Sequence, residues 1–251
     1  FDKTLLINLE RSLSKEMIRT NRAGAYNSTT LIDCNTRKYH GLMVAPIDQS
    51  DRTYVLLSSL DETVVQHDQS FNLALHRFEG TYEPRGHKYI TDFEYTPVPT
   101  ITYRVGGVIL KKELLWVHNR TQLMIRYTLV DAHSETTLRL RPLLAFRDKH
   151  SLSKANMEAD GRAYPIPYGV KCRLYDGFPD LNIQISGASV YKHQPYWYNG
   201  ITYSDEYRRG FDCREDLLVP GTFQMELKPG ESVVFSASVN EVNPRGLKRK
   251  F

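Results

Sequence analysis

Val108–Leu144 reads VILKKELLWVHNRTQLMIRYTLVDAHSETTLRLRPLL, and its alternation decides the fold class. Successive side chains of a strand point to opposite faces, so residues two apart share a side. Gln122–Leu129 puts Leu123, Ile125 and Tyr127 on one face and Gln122, Met124, Arg126 and Thr128 on the other. Thr136–Leu144 sets Thr137, Arg139 and Arg141 against Leu138, Leu140 and Pro142. Val108–Val117 alternates less cleanly, with Val108, Leu110 and Lys112 opposite Ile109, Lys111 and Glu113. Asn119-Arg120 and Asp131–Ser134 are turn signals between these runs, and Gly106-Gly107 precedes them as a tight hairpin turn. The expectation is a meander of three hairpin-linked strands with one dry face.

The same signature extends outward. Strands are expected at Thr4–Leu9, Gly41–Pro46, Tyr54–Ser58, Glu62–His67, Tyr89–Tyr95 and Ile101–Val105. After the meander they are expected at Gly169–Leu174, Leu181–Ser186, Ser189–Lys192, Thr222–Leu227 and Ser232–Asn240. Helical signal is confined to Glu10–Arg19 and to Leu152–Ala159, where Ser151 offers a cap. Many short strands without alternating helices predict an all-β chain, a large antiparallel β-sandwich with few short helices. Arg147–Tyr168, with Pro165 and Pro167, reads as a long excursion of the kind that is usually functional. The domain is expected to span 1–242, with 243–251 (Asn243–Gly246, then Lys248–Lys250) as the start of an exit linker. Opening on Phe1, the sequence is expected to be part of a longer protein.

Composition narrows the function classes. The net charge of +4 is mild, and Lys and Arg are interspersed with Asp and Glu, so no stripe for nucleic acid is expected. No apolar run is long enough to span a membrane, and no signal peptide is expected. Cys34, Cys172 and Cys213 are odd in number and widely spaced, which argues for free thiols and a cytoplasmic location rather than a disulfide framework or zinc. No phosphate loop, nucleophile elbow or metal-binding helix motif is present, and neither cofactor nor metal is expected. The carboxylate doublets Asp61-Glu62, Asp205-Glu206 and Glu215-Asp216 make poor acid–base pairs, because neighbours on a strand face opposite ways. No catalytic residue is expected within the chain.

Two segments stand out. Glu16–Ala45 is polar and holds Thr20, Asn21, Gly24, Asn35, Arg37, Tyr39, His40 and Gly41 ahead of an apolar strand. Gln194–Gly221 carries Tyr196, Trp197, Tyr198, Tyr203 and Tyr207, then Arg208-Arg209-Gly210 and Glu215-Asp216, in what reads as a loop-like stretch. Such an aromatic cluster serves equally well as a stacking platform or as a satellite core.

On these residues the sequence resembles a known family. Thr20-Asn21-x-x-Gly24-x-Tyr26, followed by Asn35-Thr-Arg-Lys-Tyr-His-Gly-Leu-Met-Val-Ala45, is similar to the N-terminal domain of bacterial and archaeal glycogen debranching enzymes. Val55–Glu62, Arg139–Arg147, Arg209-Gly210, Glu215-Asp216 and Pro220-Gly221 extend the resemblance, while Arg22 and Ala25 replace glycines usual in the family. The resemblance implies a supersandwich of the galactose-mutarotase-like type. It also implies a following (α/α)6 barrel whose carboxylates hydrolyse α-1,6 branch points as an amylo-α-1,6-glucosidase, with 4-α-glucanotransferase action possible in the same enzyme. The expected partners are therefore an α-glucan (glycogen or a maltooligosaccharide) and the protein's own C-terminal helical catalytic domain. Asn21, Arg37, Tyr39, His40, Trp197, Tyr198, Tyr203 and Arg209 are the candidates for glucan or domain-interface contacts. One competing reading is a free-standing module that stacks sugars on Trp197, Tyr198 and Tyr203. Another is a mutarotase-like enzyme that pairs His87 or His193 with Glu206 or Glu215.

Overall fold

The computed structural model describes residues 1–47 and 51–251. In chain order the strands are β1 (Glu16–Thr20), β2 (Tyr26–Thr30), β3 (Gly41–Pro46), β4 (Thr53–Gln66), β5 (Gln69–Asn72), β6 (Leu75–Phe78), β7 (Thr81–Arg85), β8 (Ile90–Glu94) and β9 (Thr100–Val105). They continue as β10 (Val108–Trp116), β11 (Gln122–Asp131), β12 (Thr136–Asp148), β13 (Tyr164–Ile166), β14 (Gly169–Cys172), β15 (Leu181–Ile185), β16 (Val190–Thr202), β17 (Arg214–Leu227) and β18 (Ser232–Ser238). One sheet runs β1-β2-β3-β4-β12-β17-β16, with β5 also on β4; the other runs β13-β14-β15-β18-β11-β10-β9-β8. Both are antiparallel throughout, and β6-β7 forms a separate hairpin.

The two sheets share one apolar core, as the alternation requires. The first sheet contributes Leu57, Leu138, Leu140, Phe223 and Met225; the second contributes Leu110, Leu123, Ile125, Leu129, Ile183 and Phe235. At roughly 1.5–3 kcal/mol per buried side chain of this size, this layer is the main source of stability. The expected all-β sandwich is what the chain forms. Gly106 and Gly107 both adopt positive φ (55° and 80°) between paired Val105 and Val108, the turn geometry that glycine permits without strain. Each sheet's outer face is also partly covered. Val44, Val55, Leu143, Ala145, Ile201, Tyr203, Leu217 and Val219 cluster on the first sheet, and Leu247 seats against Met124 and Val234 on the second.

Several expectations need correction. The meander does not continue into β12, which crosses to the other sheet and pairs with β4 and β17, while β18 takes the place beside β11. The reason is that β12 is apolar on both sides at its centre: Leu140 and Leu144 enter the shared core, and Leu143 and Ala145 enter the outer cluster. A strand buried on both faces belongs in the middle of a sheet. Thr4–Leu9 is not a strand. Lys3–Leu6 and Leu9–Leu13 are short helices, capped by Asp2 Oδ1 accepting from Leu5 N (3.2 Å) and Asn8 Oδ1 accepting from Arg11 N (3.0 Å). The helix expected through Arg19 therefore stops at Leu13, and β1 begins at Glu16. Leu152–Ala159 is irregular because its backbone donors are taken by side chains: Ser153 N donates to Glu215 Oε2 (2.8 Å) and Ala155 N to Asp216 Oδ2 (2.9 Å). The loop-like reading of Gln194–Gly221 gives way to the long edge strand β16, the helix Ser204–Arg208 and the start of β17. Over the tail, Pro244–Gly246 forms a 3₁₀ turn and Leu247–Lys250 a short helix.

The imperfect alternation of β10 also has a cause. Lys112 sits on the inner face, 4% exposed, with Nζ 2.5 Å from Glu62 Oε1 and 2.6 Å from Asp33 Oδ2. Tyr127 donates its hydroxyl to the same Glu62 oxygen at 2.6 Å. Burial works against the ammonium charge, but Asp33 and Glu62 outweigh it and hold the Lys112 pKa well above its usual value.

Candidate functional site

The Thr20–Gly41 segment is tied down by its own polar groups. Asn21 Oδ1 accepts from Ala23 N and Ala25 N, both at 3.0 Å, and its Nδ2 donates to the carbonyls of Val117 (3.0 Å) and Arg120 (2.8 Å). Every hydrogen bond that an amide side chain can make is used there, shaping the β1–β2 turn. His40, 2% exposed, accepts from Thr36 N at Nδ1 (2.9 Å), so its proton sits on Nε2, 3.3 Å from Glu16 Oε1. Arg37 Nε lies 2.5 Å from the same Glu16 oxygen and 3.4 Å from Asp205 Oδ2. The His40 hydrogen bond, followed by that of Arg37, brings the Glu16 carboxyl down to about 2. Thr36 Oγ1 donates to Asp205 Oδ2 (2.8 Å), joining the segment to the Ser204–Arg208 helix. Tyr39 is the outward-facing member, its hydroxyl 3.2 Å from His150 Nδ1.

A second knot lies beneath the first. Glu215 is fully buried against Arg147, whose Nε is 2.5 Å from Oε2 without the alignment of a hydrogen bond and whose Nη2 donates to Oε1 at 3.1 Å. Arg147 Nη2 also donates to Lys38 O (2.9 Å), and Tyr203 donates its hydroxyl to Glu215 Oε1 (2.5 Å). Tyr203 is thus a core residue and offers no face for stacking. Glu215 has no free oxygen for a base, and Glu206 is fully buried with Oε1 on Lys38 N (3.3 Å). His193 bonds to Tyr191 (3.1 Å), and neither it nor His87 contacts either glutamate, so the geometry does not assemble the mutarotase pair. Arg209 is exposed, its guanidinium 5.1 Å from the Phe211 ring.

Trp197 and Tyr198 are placed differently. They line an open groove of about 730 Å³ between the edge strand β16, the β6-β7 hairpin and the 3₁₀ turn Gly86–Tyr89 that follows it. Phe78, Asn72, Asn199 and Arg141 share the lining, with Glu83, Pro84, Arg85 and Lys88 toward the hairpin side. Bulges on either side of Tyr196–Tyr198 break the β16 register, so Trp197 leans on the inner core and Tyr198 on the outer cluster, and the groove opens over the strand edge. The platform is held from below. The Arg141 guanidinium lies 4.8 Å from the Tyr198 ring centroid; Nη1 donates to Tyr196 Oη (3.0 Å) and Nη2 to Asp61 Oδ2 (2.8 Å). Asp61 is 3% exposed and meets His76 Nε2 at 2.8 and 3.0 Å, and the His76 ring stands edge-on to Tyr198 at 5.6 Å. Burial favours a neutral Asp61, but His76 and Arg141 outweigh it and keep the carboxyl below its usual range. Burial pushes the Tyr198 hydroxyl up to about 12, so the ring presents a neutral face at any ordinary pH. Rigid aromatic faces flanked by amides and charged donors suit an uncharged, polyhydroxylated ligand.

A hollow of comparable size, about 680 Å³, lies on the long excursion between Glu158, Arg162, Tyr164 and Asp180. There Arg162 pairs with Asp160 (2.7 Å) and Arg173 approaches Asp180 (3.8 Å), which leaves Glu158 and Asp176 as acidic groups without an ion pair among the described residues. That lining is strongly charged, whereas the groove at Trp197 offers two aromatic faces, and on that ground it is the better site for a neutral ligand.

A family model described as the glycogen debranching enzyme N-terminal domain matches residues 15–234. The chain belongs to that family. The match includes both knots and all the groove residues of this debranching-enzyme domain. No curated protein matches the sequence. Solved structures that resemble it include a bacterial glucoamylase complexed with acarbose (TM-score 0.44, 7% identity, covering 83% of this chain and 32% of that one). A polysaccharide lyase also resembles it (TM-score 0.37, 13% identity, 90% and 33% covered). The debranching-enzyme domain thus spans about a third of each of those chains.

Sequence reasoning found Trp197 and Tyr198 through their clustering but passed over Phe78, His76, Asp61 and Arg141 as site residues. The last two lie inside motifs shared with the family, and Arg141 is on the polar face of β12 that alternation identifies, so the signal was present without its partner.

Proposed function

We propose that this domain holds an α-glucan chain in the Trp197–Tyr198 groove on behalf of a full-length glycogen debranching enzyme and makes no bond-breaking contribution of its own. The observation that carries the reading is the pair of aromatic faces in one open groove, with Tyr198 fixed by the Arg141–Asp61–His76 relay. Pyranose rings present apolar C–H faces and equatorial hydroxyls, which such a surface takes up without charge. The debranching itself, hydrolysis of α-1,6 branch points with 4-α-glucanotransferase action, belongs in this reading to a helical catalytic domain in the cytosol. The Arg37–Tyr39 surface is its contact face: Arg37 and Tyr39 keep part of their side chains outward, while the groups behind them are spent on internal bonds.

Fluorescence titration with maltoheptaose tests the groove directly. The chain has two tryptophans, and Trp116 is buried with Nε1 donating to Asn27 Oδ1 (3.1 Å), so a ligand-dependent change reports Trp197. A saturable change at millimolar or lower maltoheptaose, with calorimetric heat that Trp197→Ala abolishes, is the expected result. No heat and no fluorescence change with maltoheptaose would refute the reading.

A further inference from the structure

The hairpin side of the groove carries charge that a neutral glucan does not need. Arg85 and Lys88 are exposed and line it, and neither has a carboxylate partner among the described residues. Arg141, in the same groove, shows the contrast, since its charge is already met by Asp61 at 2.8 Å. Glu83 is the single carboxylate in the lining and is itself unpaired among the described residues, so two cations without a carboxylate face one anion, with the Lys88 ammonium resting 4.9 Å from the Tyr89 ring centroid. Arg85 ends β7 and Lys88 follows it in the 3₁₀ turn Gly86–Tyr89, and both line the same groove.

The turn is also rigidly built. Gly86 N donates to Ala74 O at 2.9 Å, and a Cβ at Gly86 would lie 2.0 Å from the Leu73 backbone, so this glycine permits the close approach that fixes the turn. Between the two cations sits His87, 9% exposed, with no partner at Nδ1. Its burial, together with repulsion from Arg85 and Lys88, holds the imidazole pKa below its usual value.

We propose that the groove accepts a glucan carrying a phosphate monoester, with the phosphate at Arg85 and Lys88 and neighbouring glucose rings on Trp197 and Tyr198. This rests on the glucan reading of the groove and adds the ligand's charge. A phosphate beside two cations of one groove lining forms charge-assisted hydrogen bonds that a hydroxyl cannot match.

Calorimetry on the full chain with four probes decides it: maltoheptaose, maltoheptaose bearing one 6-phosphate, glucose 6-phosphate and inorganic phosphate. The phosphorylated heptaose is expected to bind about tenfold more tightly than the neutral one, with the advantage shrinking as salt is raised. In Arg85→Gln/Lys88→Gln the ratio of the two affinities is expected to fall to about one, while circular dichroism reports an intact fold. Equal binding of the two heptaoses overturns the proposal and leaves the glucan groove standing. So does an advantage that survives the double substitution. Inorganic phosphate or glucose 6-phosphate binding as tightly as the phosphorylated heptaose overturns it too, by showing an anion site without a glucan platform. If neither heptaose binds, the glucan groove fails and this proposal falls with it.

Discussion

Replacing Lys112 by Met isolates what the charge buried between the sheets contributes. The ammonium sits 2.5 Å from Glu62 and 2.6 Å from Asp33, with Lys112 and Glu62 both almost fully enclosed. Met fills a similar volume, so packing changes little, but Glu62 is left with the Tyr127 hydroxyl alone. Removing one member of a buried pair costs about 3–5 kcal/mol, because the remaining charge loses its compensation. With a urea m-value near 3 kcal/mol/M for a chain of this size, the unfolding midpoint falls by about 1–1.7 M. The deficit also depends on pH. Burial already raises the Glu62 pKa despite the opposing pull of Lys112, and losing Lys112 raises it further. A group whose folded pKa lies above its unfolded value destabilises progressively as pH rises through the folded value. The deficit of Lys112→Met is therefore largest at neutral pH and narrows as pH falls toward about 4.5, the ordinary glutamate value. Lys112→Met/Glu62→Leu removes both charges, and its stability is expected to return to within about 1 kcal/mol of the parent. Asp33, whose side chain is 24% exposed, keeps its hydration. Urea melts followed by far-UV circular dichroism measure all three proteins. A single variant within about 1 kcal/mol of the parent, or a double variant no better than the single, refutes the view that this network is a mutually dependent pair.

Glu16→Gln removes a carboxylate whose pKa is lowered to about 2, so it contributes stability above about 4.5 that is lost as pH falls toward 2. Because the side chain is over a third exposed, screening reduces this to about 1 kcal/mol, and the variant's stability-versus-pH curve, from melts between pH 2 and 7, is expected to be flatter by that amount. Gly86→Ala drives a methyl into the Leu73 backbone; a cost of about 3 kcal/mol, or a fall in Tm of about 6–10 °C, is expected by calorimetry. Tyr203→Phe deletes the hydroxyl bonded to Glu215 while Arg147 and Ser153 N remain, so it costs about 1 kcal/mol in a urea melt and leaves maltoheptaose affinity unchanged.

What the sequence made legible follows from how each strand is buried. β11 could be read residue by residue because its inner side takes Leu123, Ile125, Tyr127 and Leu129 while its other side alternates regularly with them. The sequence pattern gives two strands here, Tyr54–Ser58 and Glu62–His67, with a gap at 59–61, yet β4 runs unbroken from Thr53 to Gln66. Polar side chains at the break are buried with partners: Ser58 Oγ accepts from Asn35 Nδ2 (3.4 Å), Asp61 meets His76 and Arg141, and Glu62 meets Lys112. Lys112 in β10 and Arg147 in β12 break the pattern for the same reason, the latter against Glu215 on β17. A charge inside a strand pattern can be seen from sequence, but whether it faces water or a distant counter-charge depends on sheet order, which local alternation does not encode. Arg141 and Asp61 come together because β12 left the expected meander and paired with β4, placing the two side by side in register. Without that crossing Tyr198 would have no guanidinium against its ring and the edge strand no fixed platform. The pairing of β12 that local pattern misassigned thus also builds the groove, and a site assembled from such pairings becomes visible only once the sheets are ordered.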